Sequence, residues 1–337
     1  MQRVKRMCAM SFIVALLIAG NAFAFQPIDL PSPEWVQETL QPWMEKHPGK
    51  WEWRQWNRCL YSTKNATEVD LAALLELDGL YGLVLDHMIL TDAGLAQVGR
   101  LTQLNSLGIT TFTHGEKITD AGAAELGNLS RLRMLAFSNA PNVTGAGYAF
   151  LKQLSNLNFF ESSDIGDDEI DILLPLHSLT HINMQSNKKI TAAGLAKLAS
   201  LPKLAALNVR VSPQLTDDDL AMLETFPALI DLRLLGVTDQ GLAHVGRLPK
   251  LRQVLLIRFN ITDEGIASLA NLPILDILMF QQGVGLTDAN LSNLAKLTKL
   301  RRLDFFFCDD VTEEGIAELR KVMPQCEIRF FSEEKLR

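Results

Sequence analysis

The chain carries no sequence signature of catalysis. None of G-x-S-x-G, H-E-x-x-H, G-x-x-x-x-G-K-[ST] or C-x-x-C occurs in its 337 residues. That removes the motif-level case for a nucleophile elbow, a zinc peptidase, a phosphate-binding loop or a dithiol redox centre. Histidines are few and scattered, at His47, His87, His114, His177, His181 and His244, and surface or structural roles are expected for them. Cysteine is scarcer still, with four in the chain, Cys8, Cys59, Cys308 and Cys326. Positive charge is also short. The formal net charge is −7, so general attraction to nucleic acid or anionic lipid is not expected. After the first 24 residues no run of roughly 18 uninterrupted apolar residues appears, which excludes a membrane-spanning helix and leaves no stable membrane insertion.

The N-terminus has a pattern of its own. Arg3, Lys5 and Arg6 precede an apolar run from Met10 to Ala19, and Ala22-Phe23-Ala24 supplies small residues where a signal peptidase needs them. Residues 1–24 therefore read as a cleaved secretory signal, and localisation is expected to be secreted or periplasmic. Val4-Lys5-Arg6-Met7 ahead of Cys8 lacks the small and apolar residues expected before a lipidated cysteine. Cleavage takes the charge from −7 to −10.

Three regions follow: a Trp-rich segment over 25–65, repeats over 66–330 and a short charged tail over 331–337. All five tryptophans, Trp35, Trp43, Trp51, Trp53 and Trp56, fall in the first region. Ser32-Pro33-Glu34 before Trp35 predicts a helix start. The aromatic residues are expected to seal the core of the first repeat as an N-terminal cap.

The repeats are the strongest feature. Their anchors are Ala66, Leu90, Ile118, Val143, Ile165, Ile190, Leu215, Val237, Ile261, Leu286 and Val311, spaced by 22 to 28 residues. A unit of that length cannot bury its apolar face alone and must stack on its neighbours. Each unit has two halves. One ends in a two-residue alternation, as in Leu229-Ile230-Asp231-Leu232-Arg233-Leu234, which predicts a short strand with one face in the core. The other, as in Leu90-Thr91-Asp92-Ala93-Gly94-Leu95, predicts a helix start, with Thr as cap and Asp at the positive end of the helix dipole. The expected fold is α/β: a curved solenoid of about 11 repeats, with a parallel sheet on the concave face and helices on the convex one. In that frame Cys308 and Cys326 stand about seven residues apart along the strand direction, on the order of 20 Å at ~3.3 Å per residue. Disulfide bonding needs Cα atoms within ~7 Å, and Cys59 lies at the opposite end, so free and mostly buried thiols are expected.

The Thr-Asp-x-Gly-Leu run, seen at Thr91-Asp92-Ala93-Gly94-Leu95, Thr238-Asp239-Gln240-Gly241-Leu242 and Thr262-Asp263-Glu264-Gly265-Ile266, resembles the cysteine-containing subfamily of leucine-rich repeats. Gly241-Leu242-Ala243 is also similar to the related bacterial GALA type. The resemblance covers most of the chain and implies a horseshoe fold. The inward Cys of that subfamily survives only as Cys308, with Ala140, Asn187 and Ser212 in its place elsewhere. Many members carry an F-box ahead of the repeats and recruit proteins for ubiquitination. Here the signal and Trp-rich segment occupy that space, so that role is not carried over.

Acidic clusters at Asp164, Asp167, Asp168, Glu169 and Asp171, and at Asp217-Asp218-Asp219, coincide with helix starts, where carboxylates stabilise the first turn without an ion. No metal or cofactor is expected. The residues alternating with the inward apolar pairs define the candidate site. They begin as small or polar at Gly82, Ser106, Gly108, Thr110 and Ser138, and become polar at Glu161, His181, Asn183, Gln185, Asn208 and Arg210. They end as one apolar patch, expected to be exposed, at Leu235, Leu255, Ile257, Ile277, Met279, Phe306 and Phe331, with Arg233, Arg302, Asp304 and Arg329 among them. The leading expectation is a secreted, non-enzymatic scaffold that binds another protein through this face. The second is an exported bacterial effector or adhesion factor that binds a host protein, and the third an enzyme with an unrecognised site.

Overall fold

The computed structural model describes residues 32–55, 57–86, 88–110, 115–184, 187–209 and 215–332. The segment 1–24 expected to be a signal, Trp56, His87, His114, Gln185, Arg210 and tail residues 333–337 lie outside the described residues.

The strands are β1 (Trp51–Arg54), β2 (Cys59–Ser62), β3 (Gly82–Val84), β4 (Ser106–Thr110), β5 (Met134–Ser138), β6 (Phe159–Glu161) and β7 (His181–Asn183). They continue as β8 (Ala206–Val209), β9 (Asp231–Leu235), β10 (Gln253–Ile257), β11 (Ile277–Gln281), β12 (Arg302–Phe306) and β13 (Glu327–Phe331). All lie in one open sheet in chain order. β1 and β2 form an antiparallel hairpin, and every later neighbour is parallel, because a helical segment intervenes between successive strands. Alternate residues such as Leu107, Leu135, Leu207, Leu232, Leu256, Leu278 and Leu303 enter one continuous core between sheet and helices. The result is the expected α/β solenoid, with its sheet on the concave side.

Of the described tryptophans, Trp43 and Trp51 enter the core and Trp35 and Trp53 pack against it. Trp43 and Trp51 are buried in the same core as Leu71, Leu74 and Leu77, with their rings 6.1 Å apart. Their neighbours are tied by backbone acceptors: Trp35 Nε1 donates to Asp78 O at 2.7 Å and Trp43 Nε1 to Ala73 O at 3.2 Å. Among the described residues Cys59, Cys308 and Cys326 are free. Cys59 and Cys308 are buried and Cys326 is half-buried. Burial pushes the Cys59 thiol up to about 12 and the Cys308 and Cys326 thiols up to about 11, so none is a thiolate nucleophile at neutral pH.

The Thr-Asp-x-Gly run does more than the expected helix capping, and its Asp acts elsewhere. Thr119, Thr144 and Thr262 do accept amides of their own first turns. The Asp, however, reaches into the following repeat. Asp92 accepts Thr119 N and Oγ1 at 2.8 and 2.6 Å, Asp239 does the same to Thr262 at 2.8 and 2.6 Å, and Asp288 to Thr312 at 2.9 and 2.6 Å. Asp120, Asp167 and Asp217 likewise hold Thr144, Thr191 and Thr238, and Glu68 holds Thr91. The glycine of the receiving repeat is what permits this. A Cβ on Gly122 would overlap Asp92, and one on Gly265 would overlap Asp239.

Where that glycine is replaced by an acid or amide, the repeat caps itself instead. Asp70 accepts Thr67 N at 2.7 Å, Glu169 accepts Gly166 N at 2.7 Å, Asp219 accepts Thr216 N at 2.7 Å and Asn290 accepts Thr287 N at 2.9 Å. Apart from Asp168, each carboxylate of the two acidic clusters thereby has a partner among the described residues. In the first, Asp164 accepts Ala140 N at 3.1 Å, Asp167 and Glu169 act as above, and Asp171 pairs with Lys197 at 3.0 Å.

Past β9 to β12 the chain turns through left-handed backbone. Gly236, Arg258, Gln282 and Phe307 follow these strands with φ of 74, 47, 55 and 54°. For the three non-glycine residues this costs roughly 1–2 kcal/mol each.

Candidate functional site

The ladder registers place three rows of side chains on the sheet face opposite the core. The middle row runs through Val84, Gly108, Ala136, Glu161, Asn183, Asn208, Arg233, Leu255, Met279, Asp304 and Arg329. One flanking row includes Ser106, His181, Asp231, Gln253, Ile277 and Arg302, and the other Thr110, Ser138, Leu235, Ile257, Gln281, Phe306 and Phe331. Every described residue of the expected site is therefore on this face. Gln185 and Arg210 fall outside the described residues.

The apolar patch is contiguous but not exposed as expected. Leu255, Ile257 and Met279 form a cluster of their own, separate from the main core, at 3, 1 and 0% exposure. Leu235, Ile277 and Phe306 pack around it half-buried. Long apolar side chains on strands only ~4.8 Å apart, on the inside of a curve, crowd together and shield each other. What meets solvent is the margin, where Phe306 and Phe331 stack almost coplanar, 4.8 Å apart and at 4°.

The polar part is equally crowded. Glu161 accepts Asn183 Nδ2 at 2.7 Å. Burial pushes its carboxyl up to about 7, against the opposing effects of the Asn183 hydrogen bond and the Arg233 charge. Asp231 Oδ2 takes both Arg233 Nη2 at 3.4 Å and Gln253 Nε2 at 3.3 Å, and burial raises its carboxyl. Asp304 Oδ2 takes Arg302 Nε and Nη2 at 2.9 and 2.6 Å. In both aspartates the second oxygen is buried without a hydrogen-bond partner among the described residues, as is Asn208 Oδ1. Buried unpaired acceptors are costly and uncommon, and three of them here make the face short of donors.

His181 is unsuited to acid–base work. Burial, then the Arg233 charge, pushes its imidazole down to about 4, so it is neutral at pH 7. Its Nδ1 is hydrogen-bonded to Thr180 Oγ1 at 2.8 Å, and Phe159 lies beside its ring at 6.4 Å. Asp231, Gln253 and Gln281 were missed in the sequence. They are the next outward residues, two positions from Arg233, Leu255 and Met279 respectively, and counting one more outward position in each strand would have included them.

A family model described as Leucine Rich repeat matches residues 176–199. A chain in the crystal structure of the Rad7 and Elc1 complex in yeast is 20% identical over 74% of this chain and 69% of that one, with a TM-score of 0.50. The fold is a leucine-rich-repeat solenoid. An internalin (inlF) from Listeria monocytogenes is 20% identical over 75% of this chain and 74% of its own, with a TM-score of 0.45. An internalin C2 from the same species is 19% identical over 71% and 83%, with a TM-score of 0.35. No curated protein matches the sequence. Among the described residues of the leucine-rich-repeat solenoid, no helix is long and apolar enough to cross a membrane.

Proposed function

We propose that this leucine-rich-repeat chain is an exported, non-enzymatic scaffold that binds another protein through its concave face. One observation carries the reading: Leu255, Ile257 and Met279, with Leu235, Ile277 and Phe306, build an apolar cluster on the side of the sheet that the core does not use. A solenoid folds without such a cluster, since its own core lies on the opposite face. The cluster's half-buried margin, Leu235, Ile277, Phe306 and Phe331 beside Arg302 and Arg329, is what meets solvent, and apolar side chains with arginines among them have the composition of a protein-binding surface. The neutral His181 and the protonated cysteines favour binding over chemistry. The yeast solenoid of similar fold was crystallised in a protein complex, which agrees with this reading. Export rests on the segment 1–24, and segment 32–65 closes the first repeat as a cap.

The test is photo-crosslinking in cells of the source organism, with a photoreactive residue at Leu235 or Phe306 and a convex control at Lys296. Protein adducts from the two concave positions alone are expected. Adducts from Lys296 alone would overturn the concave assignment. A mature N-terminus at Phe25 in the secreted or envelope fraction is expected, and an intact Met1 in the cytosol would overturn export.

A further inference from the structure

Three consecutive repeats keep a side chain where the backbone favours none. Arg258, Gln282 and Phe307 have φ of 47, 55 and 54°, a region glycine occupies without penalty. The preceding repeat does use glycine there, at Gly236. All four make the same bond: Gly236 N donates to Ile257 O at 2.8 Å, Arg258 N to Gln281 O at 2.8 Å, Gln282 N to Phe306 O at 3.0 Å and Phe307 N to Phe331 O at 2.9 Å. That bond needs only backbone. The three side chains are thus held at a conformational cost the ladder does not require, and strain repeated on adjacent strands points to use of the strained groups.

Their surroundings say what use. Each directly follows the flanking row of the concave face that holds Leu235 and Phe331, at Ile257, Gln281 and Phe306. Arg258 is exposed and has no ion-pair partner among the described residues. By contrast Arg233, Arg302 and Arg329 are each bound to an acid two residues away. Phe307 is half-buried next to the Phe306 and Phe331 stack. In order, the rim presents an uncommitted cation, an amide and an aromatic ring.

We propose that this rim is the docking edge for an extended segment of the partner protein, which sets an acidic side chain against Arg258 and an aromatic or large apolar one against Phe307. The inference rests on the concave-face reading above and names the partner's chemistry. Arg258 and Phe307 are two strands apart, about 10 Å at ~4.8 Å per strand, and a segment in the extended polyproline II form, rising ~3.1 Å per residue with about three residues per turn, covers that in roughly three residues and brings the same face back to the rim. The segment therefore has the pattern acidic-x-x-aromatic.

Synthetic nonapeptides with a central Glu-x-x-Phe in an Ala/Ser background test this, titrated by fluorescence anisotropy against the full chain. Binding about tenfold tighter than for Lys-x-x-Phe, or for spacings of one or five residues, is expected, and Arg258→Glu should invert the charge preference. The double variant Arg258→Gly with Gln282→Gly should lose about tenfold in peptide affinity while its melting temperature stays level or rises. A fall in melting temperature would assign these side chains to the fold and overturn the proposal, as would indifference to charge and spacing. Retained crosslinked adducts at Phe306 in the double variant would remove the rim alone and leave concave-face binding standing. Loss of adducts from both wild type and variant would remove both.

Discussion

Asp120 and Thr144 sit in successive repeats, and one carboxylate holds both donors of the threonine: Oδ1 accepts its backbone N–H at 2.7 Å and Oδ2 its hydroxyl at 2.6 Å. These bonds, hydroxyl first, lower the Asp120 pKa, and they join two repeats that are otherwise held by the sheet and core. The same pair recurs at Asp239 and Thr262. Asp239→Ala should cost about 1–2 kcal/mol, the range of a charged hydrogen bond discounted for partial exposure. Asp263→Ala, which removes no such bond, should stay within about 0.5 kcal/mol. Equal losses for both in urea denaturation would show that the latch contributes nothing specific.

Asn290 occupies the position of the permissive glycine and caps Thr287 itself, through Oδ1 at 2.9 Å. Asn290→Gly should let Asp263 reach Thr287, so a crystal structure of the variant is expected to show that new contact. Removing Asp263 should then cost about 1 kcal/mol in the Asn290→Gly background and little in the native one, a coupling that a double-mutant cycle measures. Additive effects would count against the glycine rule.

The Glu161 carboxyl, raised from 4.5 to about 7 by burial, makes stability pH-dependent in the unusual direction for an acid. Its folded-state pKa exceeds the unfolded one, so its contribution is complete below pH ~4.5 and is lost as pH rises through about 7. Glu161→Gln keeps an acceptor for Asn183 and removes the charge. It should melt higher than wild type at pH 8 and equal to it at pH 4.5. Asp120, with a lowered pKa, acts oppositely: its contribution is present above pH ~3.8 and fades as pH falls through its folded value.

Neighbouring residues of β11 separate core from face. Leu278→Ala should cost ~2–5 kcal/mol, because Leu278 is fully buried in the main core. Met279→Ala should cost less, about 1–3 kcal/mol, since its cluster is small and bounded by half-buried residues that can close the gap. Phe306→Ala should cost about 1 kcal/mol or less and weaken partner binding most. Calorimetry ranks the three, and a Phe306 loss equal to that of Leu278 would place Phe306 in the core.

Fold and register were legible in the sequence because alternation such as Leu232/Leu234 against Arg233 admits only one face toward the core, and the turns recur at a fixed phase. Membership of the concave face followed from the same alternation. Exposure did not, because it depends on crowding between residues about 24 positions apart, such as Leu255 and Met279. The role of Asp239 was also hidden. Within its own repeat it looks like a helix-dipole partner, and only the conjunction of an Asp in one repeat with a Thr and a Gly in the next gives the latch away. The left-handed residues Arg258, Gln282 and Phe307 left no local mark at all, since none of these residue types signals positive φ.

The self-capped repeats have a mechanical consequence. At the joints entering Gly166, Thr216 and Thr287, the carboxylate latch is absent from the helical edge, while the sheet at the last of these joints stays fully paired through β11 and β12. A rod pinned along one edge and unpinned at three places on the other flexes there, like a watch strap with three loose links. The third loose link lies behind Met279 and Asp304, so the part of the horseshoe that carries the apolar cluster is also one of the three places where no carboxylate latch on the helical edge resists a change of curvature.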